Sequence, residues 1–210
     1  MNKVLIKCTV ASALGGLLYG YDTVIINGAM MDLVRHFRLS PAIQGWTVSS
    51  ALVGCIIGTI LIGKPGDKYG AQRLLQLLAI MFFVSSIGCG LAPTINVFIF
   101  SRFIGGLAIG GASVLCPVYI SEISPPKHRG VLAATFQLAI VLGILFSLIT
   151  NYLLLNAGGN SWRLMLLSGA IPAIVFSLML LVIKKSPRWL VKKGRIEEAK
   201  KILRNYHRLK

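Results

Sequence analysis

The chain alternates long apolar runs with short charged or polar segments. Six runs stand out, at residues 4–30, 44–63, 74–92, 95–119, 131–155 and 162–183. Each is close to the roughly 20 apolar residues that one helical membrane crossing requires. The pattern predicts a polar loop holding Asp32, Arg35, His36 and Arg38 after the first run, and a charged turn over 64–73 after the second. Pro93 is placed to stop the third helix and Pro172 to kink the sixth. Residues 156–161, Asn-Ala-Gly-Gly-Asn-Ser, read as a polar loop. Past residue 183 the pattern changes. Ile196, Ala199, Ile202 and Leu203 recur at helical spacing among Glu197, Glu198, Lys200, Lys201 and Arg204, as in a short amphipathic helix lying on the membrane surface or against other helix ends. The expected fold is an all-α membrane protein: a six-helix transmembrane bundle over 1–185, then a basic amphipathic helix over 186–210.

Composition agrees with lipid as the solvent. Of 210 residues 55% are hydrophobic and 13% charged, against about 25% charged in a soluble domain. The net charge of +16 would suggest nucleic acid in a soluble chain. Here the cations flank the apolar runs, and no aromatic-rich basic platform accompanies them. Eighteen of the 22 Lys and Arg fall on one side of the predicted membrane, eleven of them in the tail; Arg35, Arg38 and Arg163 fall on the other, and Arg102 lies within span four. The positive-inside rule makes the first side cytoplasmic, with both ends of the chain there, as an even number of spans demands. The expected location is the plasma membrane. Lys3 and Lys7 ahead of the first run mimic a secretory signal, but no cleavage site follows, so the run reads as a retained span. Cys8, Cys55, Cys89 and Cys116 form no CxxC or metal-ligand spacing and read as small apolar packers.

Candidate chemistry sits inside the membrane. Asp22 and Arg102 interrupt apolar runs, where a charge costs about 2.5–3.5 kcal/mol on insertion scales. Their opposite signs allow them to pair between spans one and four. Two readings stand from the residues alone. One is a carboxylate that takes up a proton when its cation moves away, coupling protonation to conformation. The other is a structural salt bridge, and Asp22, late in its run, is also within reach of the interface. Gln137, in span five, has donors and acceptors suited to a hydroxyl-rich ligand, or to holding helices together. Gly16/Gly20, Gly54/Gly58 and Gly106/Gly110 are GxxxG pairs that let helices approach closely. No HExxH, GxSxG or phosphate-loop pattern occurs, so neither an enzyme nor an ATP-driven pump is expected, and no cofactor or metal.

Several motifs carry a resemblance. Gly63-Lys-Pro-Gly-Asp67-Lys68-Tyr-Gly70-Ala-Gln-Arg73 is similar to the GxxxD[RK]xGxx[RK] signature of the major facilitator superfamily. Glu122 through Arg129-Gly130 resembles the E-x(6)-R-G pattern of its sugar porters, and Ser186-Pro-Arg188-Trp-Leu190 resembles their PESPRWL motif. Gly15-Gly-Leu-Leu-Tyr-Gly-Tyr-Asp22 and Arg102-Phe-Ile-Gly-Gly also look like sugar porters, in particular bacterial proton-coupled monosaccharide symporters. The resemblance implies that Asp22 carries the proton and Arg102 is its partner, and that Gln137 and Tyr19 contact sugar. It implies a cytoplasmic gate network of Asp67, Arg73, Glu122, Arg129 and Arg188, in the motif frame of Gly63, Lys68 and Gly70. Three positions depart from the pattern: Lys185 replaces the usual Glu before Ser-Pro-Arg, Ala71 replaces a basic residue, and Ile144 stands where some members have a second sugar-binding glutamine. The family fold has twelve spans in two halves around a midplane site. This chain corresponds to the first, so the expected partners are a monosaccharide, protons, lipid, and either a carboxy-terminal six-helix half or a second copy. A proton-independent facilitator, a non-transporting sensor and an inactive fragment are the alternatives.

Overall fold

The computed structural model describes residues 3–124, 129–183 and 185–207, without the side chains of 3–5, 129 and 203–207. Among the described residues all regular structure is helical. Five membrane crossings are single helices: α1 (Lys3–Phe37), α2 (Pro41–Leu61), α4 (Ala71–Gly90), α5 (Ile95–Ile123) and α6 (Arg129–Leu154). The sixth is broken into α7 (Ser161–Ser168) and α8 (Ala170–Val182). Short helices α3 (Gly63–Tyr69), α9 (Pro187–Lys192) and α10 (Ile196–His207) lie at the basic end.

Local signals set several helix starts. Ser40 precedes Pro41 and accepts a hydrogen bond from the Ile43 amide; Ser186 precedes Pro187 and accepts from the Trp189 amide. In both, proline fixes the first turn while serine satisfies one of its free donors. Thr94 does the same for α5, accepting from Val97.

The structure corrects two expectations and details two others. The polar loop at 32–38 is instead the last turns of α1, which continues through Phe37 because Leu33 and Phe37 keep burying one face there. The charged turn at 64–73 contains the helix α3, closed by Gly70 at φ 87°. Asp22, read as late in its apolar run, is the twentieth of 35 residues in a helix about 52 Å long at 1.5 Å per residue, because α1 continues past that run. The sixth span is interrupted at Gly169, which keeps a helical φ of -60° and ψ of -21°; this agrees with the kink expected from Pro172, because proline offers no amide to the Ser168 carbonyl four residues back.

Two glycine seams bind the bundle. Gly54 and Gly58 of α2 lie against the Phe103 and Leu107 carbonyls of α5, while Gly106 and Gly110 of α5 lie against the Ala51 and Cys55 carbonyls of α2. Gly16 and Gly20 of α1 meet the Phe136 and Ile140 carbonyls of α6. A Cβ on Gly106 would stand 2.1 Å from the Ala51 oxygen, so the backbones touch directly. Crossings α2 and α6 are the least covered, leaving Leu52, Ile56, Ile60, Leu138, Val141 and Leu145 exposed.

The buried core is in two parts. Toward the basic end, Leu18, Leu75, Phe82, Tyr119, Phe176 and Leu180 belong to one cluster. Toward the other end, Tyr21, Ile25, Leu33, Phe98, Trp162 and Met165 belong to the second. On every helix that contributes to both, the changeover falls at polar residues or a break: Asp22 follows it on α1, Ser85 and Ser86 mark it on α4, Ser101 and Arg102 on α5, and Ser168–Gly169 in the sixth span. A thin polar layer thus crosses the bundle between two apolar blocks.

Candidate functional site

The polar layer is built around one charge pair. Arg102 Nη1 donates to Asp22 Oδ1 at 2.5 Å, joining α5 to α1. Their side chains retain 5% and 14% exposure, so neither charge is screened by solvent. Such a pair survives burial only because each charge neutralises the other; removing one leaves the other stranded in low dielectric. The arginine is not saturated, since its buried Nε has no hydrogen-bond partner among the described residues. Around the pair the layer is tied by hydroxyls: Ser85 Oγ donates to the Ser101 carbonyl at 2.6 Å, and Ser86 Oγ to Phe82 at 3.1 Å. The remaining acids, Asp32, Asp67, Glu122, Glu197 and Glu198, all lie toward helix ends or in the short helices of the basic end. Asp22 alone sits mid-bundle.

The two residues expected to contact sugar are arranged differently. Tyr19 is half-buried on α1 and packs against the basic-end core. Gln137 is exposed on α6, and Ile144 follows it two turns later on the same helical stripe. No hydrogen bond joins Tyr19, Gln137 and Asp22 among the described residues. Gln137 presents its amide away from the bundle's own core.

At the basic end, Gly63, Asp67, Glu122 and Arg188 line one cavity of about 570 Å³ with Trp189 and Lys192. Within it Asp67 pairs with Lys192 at 3.0 Å, while the expected partners Arg73, Glu122 and Arg188 form no ion pair with one another or with Asp67 among the described residues. Both members of the Asp67–Lys192 pair are largely exposed, which limits its contribution to stability. Lys68 Nζ lies 5.2 Å from the Tyr69 ring. Trp189 holds α9 in place: its Nε1 donates to the Asp67 carbonyl at 3.1 Å, and its ring lies 3.1 Å from where a Cβ on Gly70 would stand. The side chain of Arg129 lies outside the described residues, as do Pro125, Pro126, Lys127 and His128.

Residues 7–209 match the family described as "Sugar (and other) transporter". The chain belongs to that family. It is 44% identical over 191 residues to a D-xylose transporter of Levilactobacillus brevis, covering 91% of this chain and 42% of that protein. It is 40% identical over 206 residues to an arabinose-proton symporter of Bacillus subtilis, covering 95% and 44%. Among solved structures it superposes on the major facilitator proton:xylose symporter XylE, bound to 6-bromo-6-deoxy-D-glucose, with TM-score 0.91 and 35% identity, over 96% of this chain and 49% of that one. The chain therefore spans about half the length of the relatives it matches, and its six-helix bundle corresponds to the amino-terminal half of the major facilitator fold.

Three contributors in this family bundle were not singled out from sequence. Lys192 sits in a basic run whose members look alike until the structure orients α9. Trp189 belongs to a quoted motif, but its grip on Asp67 and Gly70 links residues 122 apart in the chain. Tyr21 donates to or accepts from Ser168 Oγ at 2.7 Å, and neither residue departs from an ordinary apolar span. Only the adjacency of Tyr21 to Asp22 offered a signal.

Proposed function

We propose that this chain forms the amino-terminal half of a proton-coupled monosaccharide symporter working by alternating access, in a plasma membrane with both ends of the chain on the cytoplasmic side. The observation that carries the reading is the buried Asp22–Arg102 pair, a lone carboxylate held by a lone guanidinium in the middle of a six-helix bundle. The relatives named for xylose and arabinose, two of them described as proton symporters, support the substrate class. The bias of Lys and Arg to one end supports the orientation.

A proton arriving at Asp22 neutralises it and weakens its hold on Arg102. The guanidinium, already short of one partner at Nε, then seeks other acceptors, and α1 and α5 are free to shift relative to each other. Return of the proton to solvent on the other side restores the pair. Coupling follows because each protonation state favours a different arrangement of the same helices. Gln137 and Tyr19 contribute sugar contacts, Gln137 reaching across toward a second six-helix half that covers the exposed faces of α2 and α6. The Asp67 cluster, including Glu122, Arg129 and Arg188, stabilises one state at the cytoplasmic face and opens for the other.

The test is Asp22→Asn in the complete transporter. Uphill D-xylose uptake driven by an inward proton gradient should disappear, while xylose counterflow, which needs no net proton movement, should persist. Undiminished uphill uptake would remove Asp22 from the proton role.

A further inference from the structure

The polar layer holds a contact that the proton-coupling reading does not use. Tyr21 precedes Asp22 on α1 and is 4% exposed. Its hydroxyl meets Ser168 Oγ at 2.7 Å, at the last residue of α7, and that Oγ also donates to the Met165 carbonyl. Ser168 ends α7: Gly169, with helical dihedrals, separates it from α8, and Pro172 leaves the Ser168 carbonyl without its helical donor.

The helix α7 is tied to α1 at a second point, where Ser161 Oγ donates to Asp32 Oδ2 at 2.7 Å. One tie stands at each end of α7, so α1 and α7 are linked as a unit. Among the described residues no side-chain hydrogen bond ties α8 to α1. Beside the break lies a cavity of about 410 Å³, lined by Tyr21, Ser168, Pro172, Val175, Phe146 and Thr150 among others. The sixth span is thus tied to α1 along α7, while α8 is held by α4, where Gln72 and Gln76 donate to the Leu180 and Ile183 carbonyls; the deeper tie to α1 is the neighbour of the buried carboxylate.

The turn of α1 that carries Asp22 is held from three directions. On one side α6 presses against it, since a Cβ on Gly143 would stand 2.1 Å from the Leu17 carbonyl and one on Gly20 would stand 2.0 Å from the Ile140 carbonyl. From α5, Arg102 takes the carboxylate. From α7, Ser168 takes the Tyr21 hydroxyl. The first is close steric contact between glycine and backbone carbonyls, and the second weakens when Asp22 is protonated. The third is a directed bond that does not involve the Asp22 charge, and it is shorter than the other such bond to this turn, from Asn151 Nδ2 of α6 to the Val24 carbonyl at 3.4 Å.

We propose that Tyr21 is a positioning residue for the Asp22–Arg102 pair, anchoring the Asp22 turn of α1 to the break in the sixth span through Ser168. This rests on the reading of Asp22 as the proton carrier. The anchor fixes the direction in which the carboxylate points, and it couples any shift of the α1 turn to the turn of the sixth span that Pro172 deprives of a backbone hydrogen bond. The other titratable or charged groups whose fields reach Asp22 are Arg102 on α5, Cys89 on α4 and Cys55 on α2; none touches Tyr21 or Ser168.

The experiment compares Tyr21→Phe, Ser168→Ala, the double variant and Asp22→Asn in the complete transporter. It measures gradient-driven D-xylose uptake against pH, with xylose counterflow and membrane abundance as controls of folding. Loss of the anchor lets the carboxylate leave Arg102 more readily, so the ionised form is favoured less. The midpoint of the pH profile should therefore move upward by about half a pH unit, the size that one neutral hydrogen bond supplies. The two single variants should move it alike, the double no further than either, and counterflow should stay within about threefold, the factor to which half a pH unit corresponds. A pH profile identical to wild type in Tyr21→Phe, with uphill uptake still lost in Asp22→Asn, overturns this inference alone. Additive shifts in the double variant overturn it too, because the two residues would then act separately. Uphill uptake that survives Asp22→Asn overturns both this inference and the proton-carrier reading.

Discussion

Replacing Gly106 with alanine tests the seam that holds the arginine-bearing helix. The added Cβ would stand 2.1 Å from the Ala51 carbonyl oxygen, and real Cβ atoms essentially never come closer than 3.0 Å. Helices α2 and α5 must therefore separate by roughly 0.9 Å at that point, and the obstructing atom is backbone, so no side chain can swing aside. Overpacking of this kind costs about 1–3 kcal/mol. The same separation relieves any clash at Gly110, whose Cβ would stand 2.1 Å from the Cys55 carbonyl. A Gly106→Ala/Gly110→Ala double variant should thus cost less than the sum of the singles. Gly45, near the start of α2, is the control: nothing lies within 4 Å of its Cβ position, and it is helical without positive φ. Gly45→Ala should stabilise by about 0.5–1 kcal/mol, the ordinary benefit of alanine over glycine in a helix. The assay is reversible unfolding by SDS in mixed micelles, followed by tryptophan fluorescence. Opposite signs for the two variants are expected. Equal stability of Gly106→Ala and Gly45→Ala would refute the claim that the α2–α5 backbones touch.

Other expectations follow from the same geometry. Arg102→Ala should destabilise by about 3–5 kcal/mol in the same assay, because it strands the buried Asp22 charge. Adding Asp22→Asn should recover part of that loss, whereas strict additivity would mean the two residues do not interact. Gly70→Ala meets two obstacles, a φ of 87° and the Trp189 ring at 3.1 Å, and should cost about 1–3 kcal/mol. The cost should show as faster proteolysis within α9 and α10, and unchanged digestion there would contradict the packing of Trp189 on Gly70.

Much of the fold was legible in the chain because lipid demands it. An apolar run of about 20 residues has few alternatives to a crossing helix. The six crossings and the end of the third before Pro93 follow from that rule. The extension of α1 to Phe37 was not legible, because Asp32, Arg35 and His36 look like a loop until Leu33 and Phe37 are seen to bury against Trp162 and the far-end core. The break at Gly169 was visible only as Pro172, since proline marks its own position and the freed carbonyl lies four residues earlier. In the site, Asp22 and Arg102 announced themselves as charges among apolar residues. The three GxxxG pairs were visible, but not that two of them share one seam, because pairing between helices is a tertiary fact. Tyr21, Ser168, Trp189 and Lys192 gave no comparable signal: a tyrosine or serine in a crossing helix, or a lysine in a basic tail, is ordinary until its partner across the fold is known.

The central claim is that sugar movement through the transporter carries protons. The direct measurement is external pH in a lightly buffered suspension of proteoliposomes holding the complete transporter, recorded as D-xylose is added outside with no imposed gradient. The account predicts an alkaline shift that begins with sugar entry, scales with the amount of xylose taken up, and is absent in Asp22→Asn. Xylose entry at the wild-type rate with no change in external pH would contradict it.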